Sequence, residues 1–170
     1  MKRILVLVIA FVMVFSLCSC GSSPSAKPVS TPKPTAAPTP EPTKSPEDIQ
    51  KELQAAFKDS IGGSGITFYK SVRNDTTGRW RVAVIYTGEN MVDHALDYYK
   101  AYFTSDDELH FICNLGLKTT TEISVVLGKL QVDVREYVDK EEHDAKILNS
   151  GTLLTSYWVD MATGEIEELK

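Results

Sequence analysis

Residues 109–134 read LHFICNLGLKTTTEISVVLGKLQVDV, and their period decides the fold class. Leu109, Phe111, Cys113, Leu115 and Leu117 alternate with His110, Ile112 and Asn114. Thr119, Thr120 and Thr121 lead into Ile123, Val125 and Leu127, and Leu130, Val132 and Val134 alternate with Gln131, Asp133 and Arg135. A period of two sends successive side chains to opposite faces of a strand. Gly128-Lys129 fits a two-residue hairpin turn with Gly first. The stretch therefore predicts a run of strands joined by tight turns.

Downstream, residues 139–147 are charged and fit one helical turn. Residues 152–159 predict a strand, Met161-Ala162-Thr163-Gly164 a turn, and residues 165–169 a short acidic strand. Upstream, Val92, Ala95, Leu96, Tyr99, Tyr102 and Phe103 recur at helical spacing, with Asn90 and Asp93 placed to cap. This stripe leaves Tyr98 outside it. Residues 65–72 and 79–86 alternate around the turn Asn74-Asp75-Thr76-Thr77-Gly78 and predict a hairpin, with Trp80, Val82, Val84 and Tyr86 on one face. Ser45-Pro46-Glu47-Asp48 is a helix start: a capping hydroxyl, a proline in the first turn, and acids at the positive end of the dipole. Ile49, Leu53, Ala56, Phe57 and Ile61 give that helix its apolar stripe, and Gly62-Gly63 ends it.

Helices clustered with meandering strands predict an α+β domain over residues 46–170: an antiparallel sheet with two helices packed on one face. No proline follows Pro46, which suits a continuous sheet. In topology this arrangement resembles the nuclear-transport-factor-2-like and cystatin-like domains. Residues 158–166, WVDMATGEI, are similar to the closing hairpin of PepSY-type envelope domains.

The N-terminus has a different chemistry. Lys2 and Arg3 precede 14 nearly unbroken apolar residues, 4–17. That length suits the core of a signal peptide and is short of the roughly 20 residues of a spanning helix. Leu17-Cys18-Ser19-Cys20 resembles the lipobox of bacterial lipoproteins: an aliphatic residue, a loosely specified position, a small residue, then cysteine. The resemblance implies that residues 1–19 are cleaved as a signal peptide and that Cys20, lipidated with a diacylglyceryl group, becomes the new N-terminus. It places the mature chain on the extracytoplasmic face of a cell membrane. Two acyl chains, at ~0.8 kcal/mol per buried CH₂, anchor firmly where one holds marginally.

Residues 20–45 follow as the lipidated cysteine and a Pro/Thr-rich tether. All eight prolines of the chain lie between Pro24 and Pro46. Such a stretch has nothing to bury against the entropy of ordering and reads as a disordered linker. Extended at ~3.1 Å per residue, its length is on the order of 75 Å.

Net charge divides unevenly. The formal total is −5; residues 1–19 and 20–45 each carry +2, so residues 46–170 carry −9. A domain of that sign repels phosphate backbones, which excludes nucleic acid as an expected partner. With Cys18 cleaved and Cys20 lipidated, Cys113 is the one remaining thiol, and its apolar strand pattern predicts burial rather than reactivity.

Chemistry is less legible. Glu141-Glu142-His143-Asp144 is the densest metal-ligand-like cluster, but it holds one imidazole and also reads as a solvated surface turn. Asp106-Asp107-Glu108 lacks the spacing and glycine of a calcium loop. The chain has no Gly-x-Ser-x-Gly, phosphate-cradling glycine loop, His-Glu-x-x-His or Cys-x-x-Cys, and no cofactor is expected. Trp80, Trp158 and an exposed Tyr98 are candidates to line a pocket for a peptide or sugar, with core packing as the alternative. Arg79 and Arg81, which alternate with Trp80 on the outward face of the strand, are the candidate anion or carboxylate contacts. Together these features predict a membrane-anchored lipoprotein whose domain binds a protein, peptide or glycan at the cell envelope. The alternative is a small ligand-pocket protein or enzyme.

Overall fold

A computed structural model describes residues 44–139 and 143–170. The expected signal peptide, Cys20 and the expected tether up to residue 43 lie outside the described residues, as do Glu141 and Glu142. In chain order the elements are α1 (Pro46–Ser60), β1 (Thr67–Phe68), β2 (Trp80–Ile85), α2 (Ala95–Tyr102), β3 (Leu109–Asn114), β4 (Thr119–Val126), β5 (Lys129–Glu136), α3 (Ala145–Leu148), β6 (Leu153–Asp160) and β7 (Ile166–Leu169). None of these helices is long and apolar enough to cross a membrane.

The strands form one open sheet in the order β1-β2-β3-β4-β5-β6-β7. All pairings are antiparallel except one: β2 and β3 run parallel, with Trp80 opposite Leu109 and Ile85 opposite Asn114. The expectation of a wholly antiparallel sheet is thereby corrected. A tight turn can only reverse a strand, whereas α2 lies between β2 and β3 and carries the chain back to the starting end. The fold is α+β with a seven-stranded, mostly antiparallel sheet.

Local chemistry explains the elements and several departures from expectation. Ser45 caps α1, its hydroxyl accepting from the Asp48 N–H at 3.2 Å. Only the C-terminal half of that helix is well covered: Phe57 and Ile61 are buried, while Ile49 stays 46% exposed. The predicted hairpin shrinks to a two-residue β1, because residues 70–79 leave the sheet and Arg73 bridges to Asp144 instead. The β4–β5 turn is Leu127-Gly128 rather than Gly128-Lys129. Both residues have positive φ, 52° and 76°, as a type I′ turn requires. Leu115 and Leu117 lie in a turn after β3, where the Asn114 carboxamide oxygen accepts from Gly116 N–H at 3.0 Å.

Alternation gives the sheet two faces. On one, Ala83, Ile112, Ile123, Leu130, Val132 and Val159 belong to the larger apolar cluster, which also takes in Phe57, Ala95, Tyr98 and Ala101. On the other, Val82, Phe111, Cys113 and Leu148 form a smaller one. Cys113 is fully buried, as its strand position predicted. Each fully buried large apolar side chain contributes about 1.5–3 kcal/mol.

Gly116 sits where a Cβ would overlap the Thr87 carbonyl, whereas a Cβ at Gly65 would meet open space. Overpacking of this kind costs roughly 1–3 kcal/mol. Gly116→Ala should therefore lower the unfolding free energy in urea by that amount, with Gly65→Ala close to wild type.

Candidate functional site

The helical stripe of α2 determines what lies beneath the site. Its buried residues are Ala95, Tyr98 and Ala101, so Tyr98 is fully buried rather than exposed. Tyr99 lies half-buried and donates to Asp106 at 2.6 Å, which pushes its phenol up to about 12. The expectation of an exposed Tyr98 is corrected: Tyr98 lies three residues after Ala95 and three before Ala101, and residues three apart share one helix face, here the buried one.

Tyr98 meets His110, which β3 carries on the same face as Ile112. The Tyr98 hydroxyl is 3.0 Å from His110 Nδ1, and His110 Nε2 is 3.0 Å from a Glu108 carboxylate oxygen. Phe103 stacks on the imidazole with ring centroids 3.8 Å apart. Glu108 also accepts from the Thr104 N–H at 3.0 Å and the Thr104 hydroxyl at 2.8 Å. Arg81, the register partner of His110, reaches the same carboxylate at 3.3 Å. Tyr98, His110, Glu108 and Arg81 thus form one line from the core to the surface.

Protonation follows from the surroundings. Burial opposes ionisation of Glu108, but the Thr104 N–H, His110 and the Thr104 hydroxyl outweigh it and hold the carboxyl below its ordinary value. Burial lowers His110 below its ordinary value despite the Glu108 carboxylate beside it. Burial likewise raises the Tyr98 phenol well above the ordinary value. An ionised Glu108 must receive the Nε2–H of a neutral imidazole, which leaves Nδ1 to accept from the Tyr98 hydroxyl. Both ring nitrogens are then occupied within the protein. The line fixes a charge in place, with Nδ1 held by the fully buried Tyr98 and Nε2 by Glu108.

Above this line opens a cavity of 860 Å³. Gln54, Ala55 and Lys58 of α1 form one bank; Ile66, Phe68 and Lys70 form the other; Arg81, Glu108 and His110 close the base. Phe68 packs on Tyr102 at 5.3 Å between ring centroids, giving the wall an aromatic surface. Arg81 is held rigidly, its guanidinium donating to the Gly78 and Trp80 carbonyls at 3.0 Å each. Among the described residues Lys58 and Lys70 form no ion pair with a carboxylate. Three cations therefore converge on one cleft of a strongly acidic domain.

The residues singled out from the sequence fare differently. Arg81 lies at the cleft, on the opposite face of β2 from Trp80, as the alternation predicted. Trp80 packs on Phe111 at 4.9 Å and lines a second hollow of 440 Å³ with Tyr69, Lys70 and Arg81. Arg79 pairs with exposed Asp107 at 3.0 Å. Trp158 is half-buried on β6, opposite Gln131, beside a separate hollow of 230 Å³. His143 packs on Tyr69 at 5.3 Å. Asp144 is buried and anchors the loop: it takes Asn74 at 2.8 Å, Arg73 at 2.9 Å and the Lys146 N–H at 3.0 Å. The Asn74 bond, the Lys146 N–H and Arg73 hold its carboxyl down at about 2. Among the described residues no three His, Cys, Asp or Glu converge to hold a metal ion.

Sequence reading weighed Glu108 only within the acidic run before β3 and did not single out His110, Lys58 or Lys70. The only signal was His110 itself, a titratable residue in an otherwise apolar strand. No protein-family model, curated protein or solved structure matches this chain.

The line makes stability pH-dependent with a definite sign. His110 has a lowered pKa in the fold, so its contribution is complete above the unfolded value near 6.5 and is lost as pH falls through the folded value. Glu108, also lowered, adds a second loss below its own ordinary value near 4.5. Thermal unfolding should show the melting temperature falling from pH 7 to pH 5. His110→Phe leaves the buried Tyr98 hydroxyl unpartnered and takes one of Glu108's several partners away, and should cost about 1–3 kcal/mol at pH 7. The pH 7-to-5 step should then be absent; a step of equal size in the variant would assign it to another group.

Proposed function

We propose that the chain is an envelope lipoprotein, anchored through a diacylglyceryl group on Cys20, whose domain captures a carboxylate-bearing ligand in the cleft between α1 and β1. One observation carries the reading: an 860 Å³ cavity that gathers Lys58, Lys70 and Arg81 within a segment of net charge −9. Such a pocket, with aromatic walls and a few fixed polar groups, is the usual form of a ligand site. In this reading α1 and α2 jointly cover the Ile112 face, and the cleft is the gap they leave beside β1. Its ligand belongs to the protein, peptide or glycan components of the envelope, and the domain's negative charge disfavours nucleic acid.

The base of the cleft suits binding rather than turnover. Arg81 is oriented by two carbonyls and the Glu108 carboxylate, so its remaining N–H groups are pre-organised for an incoming carboxylate. Pre-organisation reduces the entropy lost on binding. The tether supplies reach from the membrane.

Two measurements test the two halves of this reading. Cells grown with labelled palmitate should incorporate it into the wild-type chain and not into Cys20→Ala, which should also leave the membrane fraction; labelling of the variant would remove the lipid anchor from the account. Titration with an acidic peptide or an oligogalacturonide should show saturable binding by at least one of them. Arg81→Gln should weaken that binding by roughly tenfold or more, the effect of losing a charge-assisted hydrogen bond. Binding of neither ligand, or an unchanged affinity in the variant, would remove the cleft from the account.

A further inference from the structure

We propose that the ligand is an extended acidic peptide, bound by strand addition to the edge of β1. The inference rests on the reading of the cleft as a carboxylate site and narrows it to one chemical class.

Register sets the geometry. β1 is the end strand of the sheet, with Thr67 opposite Val84 and Phe68 opposite Ala83. The Tyr69 N–H donates to the Val82 carbonyl at 3.0 Å. In an antiparallel pair, bonded and non-bonded positions alternate. Phe68 is therefore the non-bonded position, and its N–H and C=O point away from β2, out of the sheet edge. Among the described residues no hydrogen bond takes up these two groups. An exposed donor and acceptor on an edge strand form a template for another strand.

The same edge borders the cleft. Ile66, Phe68 and Lys70 all line it, facing Gln54, Ala55 and Lys58 across the gap. A strand laid against Phe68 sends every second side chain to the cleft side. Those side chains meet Lys58 and Lys70 on the two banks and Arg81 at the base, which selects carboxylates. The aromatic surface of Phe68 and Tyr102 suits the aliphatic parts of the same chain. A sugar ring has no strand-spaced N–H and C=O with which to satisfy Phe68, so backbone pairing favours peptide over acidic glycan. The basic, proline-rich tether of the chain itself is unsuited, since proline lacks the N–H and lysine matches the wrong charge.

The test uses the full chain in detergent micelles and a fluorescently labelled peptide alternating Glu and Val. Anisotropy should show saturable binding that weakens with added salt. A peptide N-methylated at alternate residues, on the register that pairs with Phe68, should bind roughly tenfold or more weakly, because it cannot donate to the Phe68 carbonyl. Lys58→Glu with Lys70→Glu should abolish binding of both peptides. Phe68→Pro removes the outward N–H on an edge strand, where proline is tolerated, together with the ring that packs on Tyr102, and should weaken binding with a modest loss of melting temperature. Equal binding of the plain peptide and of the peptide N-methylated on the register that pairs with Phe68 would overturn strand addition while leaving the carboxylate cleft intact. Binding of an oligogalacturonide but not of the peptide would overturn the peptide assignment. Binding of neither, with no effect of charge reversal, would overturn the cleft reading as well. If Phe68→Pro unfolds, the comparison of the methylated peptides still decides the proposal.

Discussion

The parallel pairing of β2 with β3 constrains everything around the site. Two parallel neighbours cannot be joined by a tight turn, so the chain must travel back along the sheet before β3 begins. That return segment is α2. It brings Tyr98 over His110 and delivers residues 104–108 to the start of β3. Parallel pairing also sets Arg81 directly beside His110. Had β2 and β3 been joined by a hairpin, Tyr98, Glu108, His110 and Arg81 would not share one line.

Along that line a buried polar group is satisfied at each step. Tyr98 has His110, His110 has Glu108, and Glu108 has Thr104 and Arg81. Buried polar groups are costly without partners, and fully partnered networks rigidify what they join. Here the rigidity is exported to Arg81, whose other contacts are backbone carbonyls. The surface end of the line is thus a cation with little freedom, next to two lysines on the cleft's banks. Asp144 plays a comparable part elsewhere, holding the loop of Arg73 and Asn74 against the start of α3.

Much of the architecture was legible from residue order. The cap at Ser45, the alternation through β3, β4 and β5, the turn at residues 161–164 and the burial of Cys113 all follow from local rules, because each depends on neighbours in the chain. The β4–β5 turn was misplaced by one residue, since a positive φ at Leu127 runs against the preference of a branched apolar side chain and nothing local announces it. The hairpin over residues 65–86 was overextended for a related reason. Its alternation is real, but Arg73 finds a better partner in Asp144, 71 residues away.

Sequence by itself determined the class of the domain, its strand periods and its acidic balance, and it holds the lipobox-like residues on which the membrane proposal rests. These are properties of composition and of near neighbours, where period and charge act directly. Tertiary structure alone decided that β2 and β3 run parallel, that Tyr98 turns inward, and that Lys58, Lys70, Arg81, Glu108 and His110 surround one cleft. Those residues come from four separated stretches of chain. Their proximity arises from how the helices and strands pack to bury apolar surface, a long-range balance that no local pattern encodes.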